Sequence, residues 1–316
     1  GLRRIITGIG DKNGIETEAG FDITPASEIM AIMCFATSVD DLRRRIDNIL
    51  LGITEDDKPF TVKDMGVGGS IVALLLDALK PNLVQTTEGT PAFVHCGPFA
   101  NIAHGCNSVM ATAAALEYGD YAITEAGFGA DLGAEKFYNI KCRKTGLQPD
   151  LTVLVVTLQA LKMHGGVAQE DIKKPNVAGM EAGYWNLDKH VKNLQSFGQT
   201  VVIAFNKFAT DTDEEIDVLR KHCEEMGCGF AVNSAFAEGG KGAMELAELV
   251  VKTIDEHPSA PLYFTYDDDE PVEKKIEDVA FNLYGAGSVT LSDSAKAMIE
   301  EIKKLGAEKF PICIAK

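Results

Sequence analysis

The sequence predicts an α/β fold, with a parallel β-sheet that carries helices on both faces. Beyond residue 82, five apolar runs alternate with helical stretches, which is the pattern of repeated βαβ units. Several of these runs are almost continuous in Val, Ile and Leu, as is typical of strands buried on both faces. The predicted strands are residues 91–96, 121–126, 151–157, 201–206 and 230–236. We therefore predict a single parallel sheet at the core of the chain.

The bulk composition excludes some classes of protein. The 316 residues are 46% hydrophobic and 24% charged, an ordinary balance for a globular protein. The net charge of −17 argues against a nucleic-acid partner, because such binders carry a basic surface. No apolar run reaches the roughly 20 residues that span a bilayer, so we predict no membrane association. Seven cysteines without framework spacing favour a reducing, cytoplasmic environment.

Residues 1–82 are predicted to form a helix-rich inserted segment, because they show no regular βα units. Thr24 is a good helix cap and Pro25 a good first helical residue, so a helix is expected to begin there. Another helix is expected from Asp40 or Asp41. The other predicted elements are a strand at 1–10, a loop at 11–24, a turn-rich connector at 58–70 and an apolar helix at 70–80.

The remaining chain is predicted to form two regions. Residues 83–210 continue the sheet core, and residues 211–316 form a smaller α/β region that ends in a strand at 311–315. Amphipathic spacing of apolar residues predicts the helices that connect the strands. These helices are expected at 101–118, 186–198, 212–227, 242–257, 272–285 and 292–306.

Candidate site loops lie at strand ends within residues 91–143. The second of them follows the run 121–126, which contains Glu125, and holds Asp131, Glu135 and Lys136 among glycines. In an open parallel sheet, ligands bind beyond the carboxyl ends of the strands, where these loops are expected. The residues that we select as candidate catalytic groups are Glu125, Asp131 and Lys136.

The acids of these loops, together with Asp22, allow two interpretations. Carboxylates at strand ends can hold Mg²⁺ on phosphate oxygens, which would also screen an anionic substrate from the negatively charged protein. Alternatively, the acids cap helices or form ion pairs with Lys136 and Arg143. Composition leaves both interpretations open and assigns no metal ligand.

A further candidate site follows the run 201–206. Its end, Asn206-Lys207, resembles the base-recognition corner of P-loop nucleotide-binding proteins, although Asn206 could equally cap the turn. Phe208 and Phe236 each follow an apolar run and precede a polar loop. Two aromatic rings at the mouth of a sheet can stack on a flat heterocycle, whereas core packing is the commoner role of Phe.

No phosphate-cradling loop of the GxxxxGK[ST] type occurs in the sequence. Residues 238–242 contain a lysine among glycines but lack the spacing and the hydroxyl residue, so they are better interpreted as a helix entry. No Ser or Cys stands in a recognisable nucleophile context, and we therefore predict no covalent enzyme intermediate.

Several long motifs closely resemble formate–tetrahydrofolate ligases. In order, they are ETEAGFDITPASEIMAI (16–32), KPNLVQTTEGTPAFVHCGPFANIAHGCNS (80–108), TEAGFGADLGAEKFYNIKCR (124–143), LQALKMHGG (158–166), NKFATDT (206–212) and PICIAK (311–316). The resemblance covers essentially the whole chain. It implies a P-loop NTPase-like fold with added domains and a homotetrameric assembly.

The resemblance also implies a reaction. Formate, ATP and tetrahydrofolate would give 10-formyltetrahydrofolate, ADP and phosphate, with formyl phosphate as the intermediate. Two anions must meet in such a reaction, so Mg²⁺ and positive groups are expected to screen them. A monovalent cation, K⁺ or NH₄⁺, is expected as an activator. The stretch 91–143 would then form one wall of the formyl phosphate pocket.

Residue by residue, Phe208 and Phe236 match the two aromatic positions that sandwich the pterin in the family. The second position is commonly Trp, so Phe236 departs from the family pattern. Asn206, Lys207 and Thr210 match the strand end near the adenine and the folate. The signature stretch reads VVTLQALKMHGG (155–166), in which Val156 and Gln159 replace the family's Ala and Arg.

The family's phosphate loop, with its lysine, is expected upstream of this sequence. We therefore expect the chain to be an internal fragment and to lack ligase activity by itself. Two other interpretations of the sequence remain open at this point: a non-catalytic folate- or nucleotide-binding module, and another kinase-like α/β enzyme.

Overall fold

The computed structural model describes residues 4–20 and 27–315. Asp22 and the predicted helix start at Thr24 and Pro25 lie outside these residues. The chain divides into two units. The first comprises the described residues up to Thr86, Pro91–Glu125 and the end of the chain from Ile314, and the second comprises Thr87–Thr90 and Ala126–Cys313.

The first unit combines helices with two-stranded antiparallel hairpins. Its strands are β1 (Ile5–Thr7), β2 (Thr17–Ala19), β3 (Leu50–Ile53), β4 (Pro59–Thr61), β5 (Asn82–Gln85) and β6 (Pro91–Val94), paired in that order. Its helices are α1 (Glu28–Phe35), α2 (Val39–Asp47), α3 (Val62–Met65), α4 (Gly68–Leu75) and α5 (Val109–Tyr118). An apolar cluster that includes Leu42, Ile46 and Val72 forms the core of this unit.

Serine caps determine where the first helices begin. Ser27 Oγ accepts from Met30 N, and α1 begins at Glu28. Ser38 Oγ accepts from Asp41 N at 3.1 Å, so α2 begins at Val39 and not at the predicted aspartates. Each cap satisfies a backbone N–H that has no partner within its helix.

The predictions for residues 91–96 and 101–118 in this unit are wrong. The run 91–96 contains a strand, but β6 pairs with β5 in an antiparallel hairpin, from Asn82↔Val94 to Gln85↔Pro91, and takes no part in a parallel sheet. The helix predicted over 101–118 begins only at Val109. The preceding loop is closed tightly at Gly105, where φ is +66° and a Cβ would lie 2.3 Å from Ala100 Cβ.

The second unit is built around a three-stranded parallel sheet. Strand β8 (Val201–Asn206) lies between β7 (Thr152–Val156) and β9 (Gly229–Asn233), and both pairings are parallel. All of β8 except its last residue is buried, as expected for the central strand of a covered sheet. The structure therefore confirms a mixed α/β fold with a parallel sheet, formed by three of the five predicted strands.

Helices precede, separate and follow these strands along the chain. They are α6 (Gly133–Lys136), α7 (Arg143–Thr145), α8 (Leu158–His164), α9 (Val177–Glu181), α10 (Tyr184–Ser196), α11 (Asp213–Glu225), α12 (Ala235–Glu238), α13 (Met244–Glu256), α14 (Val272–Asp278) and α15 (Asp293–Lys304). Residues Phe137–Cys142 and Val279–Leu283 are π-helical, and Gly239–Ala243 form a 3₁₀ turn.

Two other predicted strands are not formed. Residues 121–125 and 311–315 have no regular secondary structure. In the first of these runs Ile123 is 92% exposed, so the apolar residues there do not form a buried strand. Across residues 4–20 and 27–315, no helix has the length and apolar character needed to cross a bilayer.

Candidate functional site

The candidate site in the second unit begins where β8 and β9 end. Asn206 and Asn233 are register partners in these neighbouring parallel strands. Asn233 Nδ2 donates to Asn206 Oδ1 at 2.8 Å, and Lys207 N donates to Asn233 O at 3.0 Å. The loops that carry Phe208 and Phe236 therefore leave the sheet from the same point.

The loop after β8 is a short turn that exposes Phe208. Phe208 N donates to Asp211 Oδ2 at 2.8 Å, and Asp211 N donates to Phe208 O at 3.1 Å. Desolvation by burial raises the pKa of Asp211. The Phe208 residue is 44% exposed, and Thr210 is also exposed. Lys207 Nζ lies 3.5 Å from Asp213 Oδ1 near the start of α11.

The loop after β9 exposes Phe236 completely. Ser234 N donates to Gly242 O at 2.9 Å, which closes the loop around the α12 turn that carries this ring. Glu88, which also belongs to the second unit, accepts from Gly240 N through Oε1 at 2.9 Å. Neither Phe208 nor Phe236 is part of the protein core, so the alternative of core packing is wrong for both rings.

The candidate catalytic residues fall in different units. Glu125 belongs to the first unit and is exposed, whereas Asp131 and Lys136 belong to the second. Asp131 is half-buried in a glycine turn, where a Cβ on Gly129 would lie 2.6 Å from Asp131 Oδ1. Lys136 is completely buried and forms a side-chain hydrogen bond with Cys313.

Glu135 is the acid of this loop with the most unusual environment. Its side chain is completely buried, and desolvation raises the pKa of its carboxyl to about 7. Asn139 Nδ2 donates to Glu135 Oε1 at 2.9 Å and also to Thr265 Oγ1, while Thr265 N donates to Asn139 Oδ1. Within the described part of the chain, no hydrogen-bond partner is seen for Glu135 Oε2.

Close backbone packing accounts for the burial of this loop. A Cβ on Gly133 would lie 1.8 Å from Gly127 O, so the chain can approach itself this closely only with glycine at that position. Arg143 is an ion-pair partner in the alternative interpretation of the acids. Its Nη1 lies 3.3 Å from Asp268 Oδ1.

No ligand set for Mg²⁺ is apparent in the described residues. Among residues 4–20 and 27–315, no group of three His, Cys, Asp or Glu side chains is arranged to hold a metal ion.

The second unit contains a buried ion pair that was not predicted from the sequence. Lys162 Nζ lies 2.6 Å from Glu215 Oε1, and the two side chains are 1% and 0% exposed. Thr212 and Glu215 form a capping box at the start of α11. The T-x-x-E pattern at 212–215 is a known signal for such a box and could have identified Glu215.

The first unit contains three thiols, Cys34, Cys96 and Cys106. Cys34 and Cys96 interact through a side-chain hydrogen bond, and Cys34 Sγ lies 3.7 Å from Cys106 O. The hydrogen bond from Cys34 lowers the pKa of the Cys96 thiol. Cys96 also has a left-handed backbone, with φ of +56°.

Comparison with known proteins agrees with the motifs. The model of the family described as formate–tetrahydrofolate ligase matches residues 1–316. Curated proteins with that name are 66% identical in Bacteroides fragilis, 65% in Bacteroides thetaiotaomicron and 63% in Parabacteroides distasonis, each over all 316 residues. The chain spans 57% of the length of each of these relatives. Because the family model matches the chain from end to end, the chain belongs to the formate–tetrahydrofolate ligase family.

Proposed function

We propose that this chain forms part of an ATP-dependent ligase that joins formate to tetrahydrofolate. The products would be 10-formyltetrahydrofolate, ADP and phosphate, with formyl phosphate as the intermediate. Membership of the family supports this reaction, and the geometry at the ends of β8 and β9 supports the part that we assign to the chain.

One observation carries the assignment of the folate site. Asn206 and Asn233 are paired in the sheet and through their side-chain amides. Phe208 follows the first by two residues and Phe236 follows the second by three, and both rings are exposed. Two exposed aromatic rings on loops that follow neighbouring strands are suited to stack on the two faces of a pterin.

Polar residues around these rings would orient the ligands. We propose that Asn206, Lys207 and Thr210 contact the folate and the adenine. The protein has a net charge of −17, which repels an anionic ligand. Lys207 supplies a local positive charge that offsets this repulsion. The partner Asp213 is 93% exposed, so Lys207 could change from this carboxylate to an anionic ligand at little cost.

We also propose that Glu125, Asp131 and Lys136 belong to the formyl phosphate pocket. This assignment rests on the family motif, whereas the folate site rests on geometry. The tight backbone packing at Gly133 and the burial of Lys136 support a rigid, water-poor wall in the second unit. Exclusion of water would protect a labile mixed anhydride from hydrolysis. Glu125 is exposed in the first unit, and its assignment rests on the family motif alone.

The finer properties of the family are part of the same proposal. We infer a P-loop NTPase-like core, a homotetramer at full length, a cytoplasmic location, and a need for Mg²⁺ and for K⁺ or NH₄⁺. The division at residues 82 and 210 stays a prediction. No GxxxxGK[ST] stretch occurs in the 316 residues, so we expect them to show no ligase activity alone.

Isotopic labelling tests the proposed reaction in a protein of the relatives' full length that contains this sequence. If formate attacks the γ-phosphate, oxygen from ¹⁸O-labelled formate appears in the released phosphate when the folate amine displaces it. Formyltetrahydrofolate formed without transfer of the label would exclude formyl phosphate. Folate binding without any ATP-dependent product would favour a non-catalytic folate-binding module, and product formation by the 316-residue chain itself would disprove its predicted inactivity.

A further inference from the structure

Complete burial of the Lys162–Glu215 ion pair requires an explanation. The two charged groups are 2.6 Å apart and almost entirely excluded from solvent. Lys and Glu are rarely buried in this way, because removing both charges from water costs more than a surface ion pair returns. A hydrophobic pair of similar size would often stabilise a protein as well. The pair is connected to the loop of Phe208 through Thr212, so it can contribute to the order of that loop as well as to stability.

The Glu215 carboxylate joins two segments of the second unit. Its Oε1 accepts from Asn176 N at 2.8 Å, next to α9, and its Oε2 accepts from Thr212 Oγ1 at 2.7 Å. Burial alone would raise the pKa of Glu215, but the hydrogen bonds from Asn176 N, Lys162 and Thr212 together lower it. Glu215 is therefore held as a charged acceptor between α9 and the start of α11.

Lys162 is attached to a rigid support. It lies on α8, and its Nζ also donates to Lys174 O at 2.8 Å. Helices α8 and α9 are packed through glycines, since a Cβ on Gly165 would lie 1.9 Å from Gly179 O. The ammonium group of Lys162 is thus fixed by its own helix and by the segment that precedes α9.

A continuous series of contacts leads from this support to Phe208. Glu215 accepts from Thr212, and the residue before Thr212 is Asp211, whose Oδ2 accepts from Phe208 N at 2.8 Å. The loop between β8 and α11 is therefore held at its far end by the buried pair. The near end is held by the sheet at Asn206.

We propose that Lys162, acting through Glu215 and Thr212, is a positioning residue that orders the Phe208 loop for folate binding. This role rests on the proposed folate site at Phe208. A loop whose backbone is already ordered loses less conformational freedom when its ligand binds, and the binding affinity rises accordingly. The buried pair supplies that order without contacting the ligand.

A double-mutant cycle tests the role in a protein of the relatives' full length that contains this sequence. Lys162→Met removes the charge at similar length, and we expect it to weaken tetrahydrofolate binding roughly 2- to 12-fold, with ATP binding unchanged. In a Phe208→Ala background, Lys162→Met should have no further effect, because the ordered ring is then absent. The variant Lys162→Met/Glu215→Gln removes both charges and should bind folate no more tightly than Lys162→Met, because the pair that orders the loop is then absent.

Two controls separate positioning from general damage. Lys174→Met makes the same substitution at an exposed lysine nearby, 73% exposed, and should leave folate affinity unchanged. Asp211→Ala removes the acceptor of Phe208 N and should weaken folate binding even where Lys162→Met fails to fold.

The possible outcomes are distinguishable. Independent losses from Lys162→Met and Phe208→Ala, or an equal loss of ATP affinity, would overturn the positioning role and leave the folate site intact. No change in folate affinity on Phe208→Ala would overturn the proposed folate site itself.

Discussion

Lys162 Nζ lies 2.6 Å from Glu215 Oε1, and the two side chains are almost completely shielded from water. We expect Lys162→Met to lower the free energy of unfolding by about 3–5 kcal/mol, because it leaves a buried carboxylate without its cation. Urea unfolding of the 316-residue chain measures this loss. Lys174→Met, at an exposed position, should change the stability by less than about 0.5 kcal/mol. A loss of similar size in both variants would show that the pair contributes no more than a surface charge.

Glu135 should make the stability of the chain depend on pH. Burial raises the pKa of its carboxyl to about 7 in the folded protein, above its ordinary value of 4.5. Between these two values the folded state binds the proton and the unfolded state releases it, so stability falls as the pH rises. Glu135→Gln, which is neutral at every pH, should remove this fall. The measurement is the free energy of unfolding of both proteins from pH 4 to pH 8.

The Glu135 experiment has a matched control in Glu170, which is exposed. Glu170→Gln should leave the slope of stability against pH unchanged. If the stability of Glu135→Gln follows the same curve as that of the unmodified chain between about pH 4.5 and pH 7, Glu135 does not take up the proton on folding.

Cys96 should be the thiol of the first unit that reacts most readily with iodoacetamide. A hydrogen bond from Cys34 lowers the pKa of the Cys96 thiol, and the thiolate is the form that reacts. Cys34 and Cys106 are buried. Mass-spectrometric mapping after brief alkylation should show modification of Cys96 before the other two. Cys34→Ala should slow that reaction, and an unchanged rate would mean that the hydrogen bond does not activate Cys96.

The strands of the parallel sheet were predictable because burial on both faces leaves a clear pattern. Residues 201–206 read VVIAFN, and all but the last are buried in the structure. The run 121–126 has a similar apolar composition, but Ile123 is 92% exposed and no neighbouring strand pairs with residues 121–125. A short apolar run does not reveal whether a partner strand is available. Nor does such a run reveal whether the strand lies parallel or antiparallel to its partner, as the antiparallel pairing of β6 with β5 shows.

The candidate site was predictable in its residues but not in its geometry. Phe208 and Phe236 could be identified from the strands that they follow, whereas their exposure depends on closed loops that form only after folding. The amide pair of Asn206 and Asn233 joins residues 27 positions apart and follows from strand register. The Lys162–Glu215 pair was missed because charged residues are usually assigned to the surface.

The sharpest test of the proposed folate site is the binding of tetrahydrofolate and ATP to the Phe208→Ala and Phe236→Ala variants. In a protein of the relatives' full length that contains this sequence, each change should weaken folate binding by about 1–3 kcal/mol, because a stacking ring is lost, and should leave ATP binding nearly unchanged. Phe281→Ala removes a ring of comparable exposure, 40% against 44% for Phe208, and should leave both affinities as they are. Unchanged folate affinity in both variants, or equal losses for folate and ATP, would contradict the folate site proposed at the ends of β8 and β9.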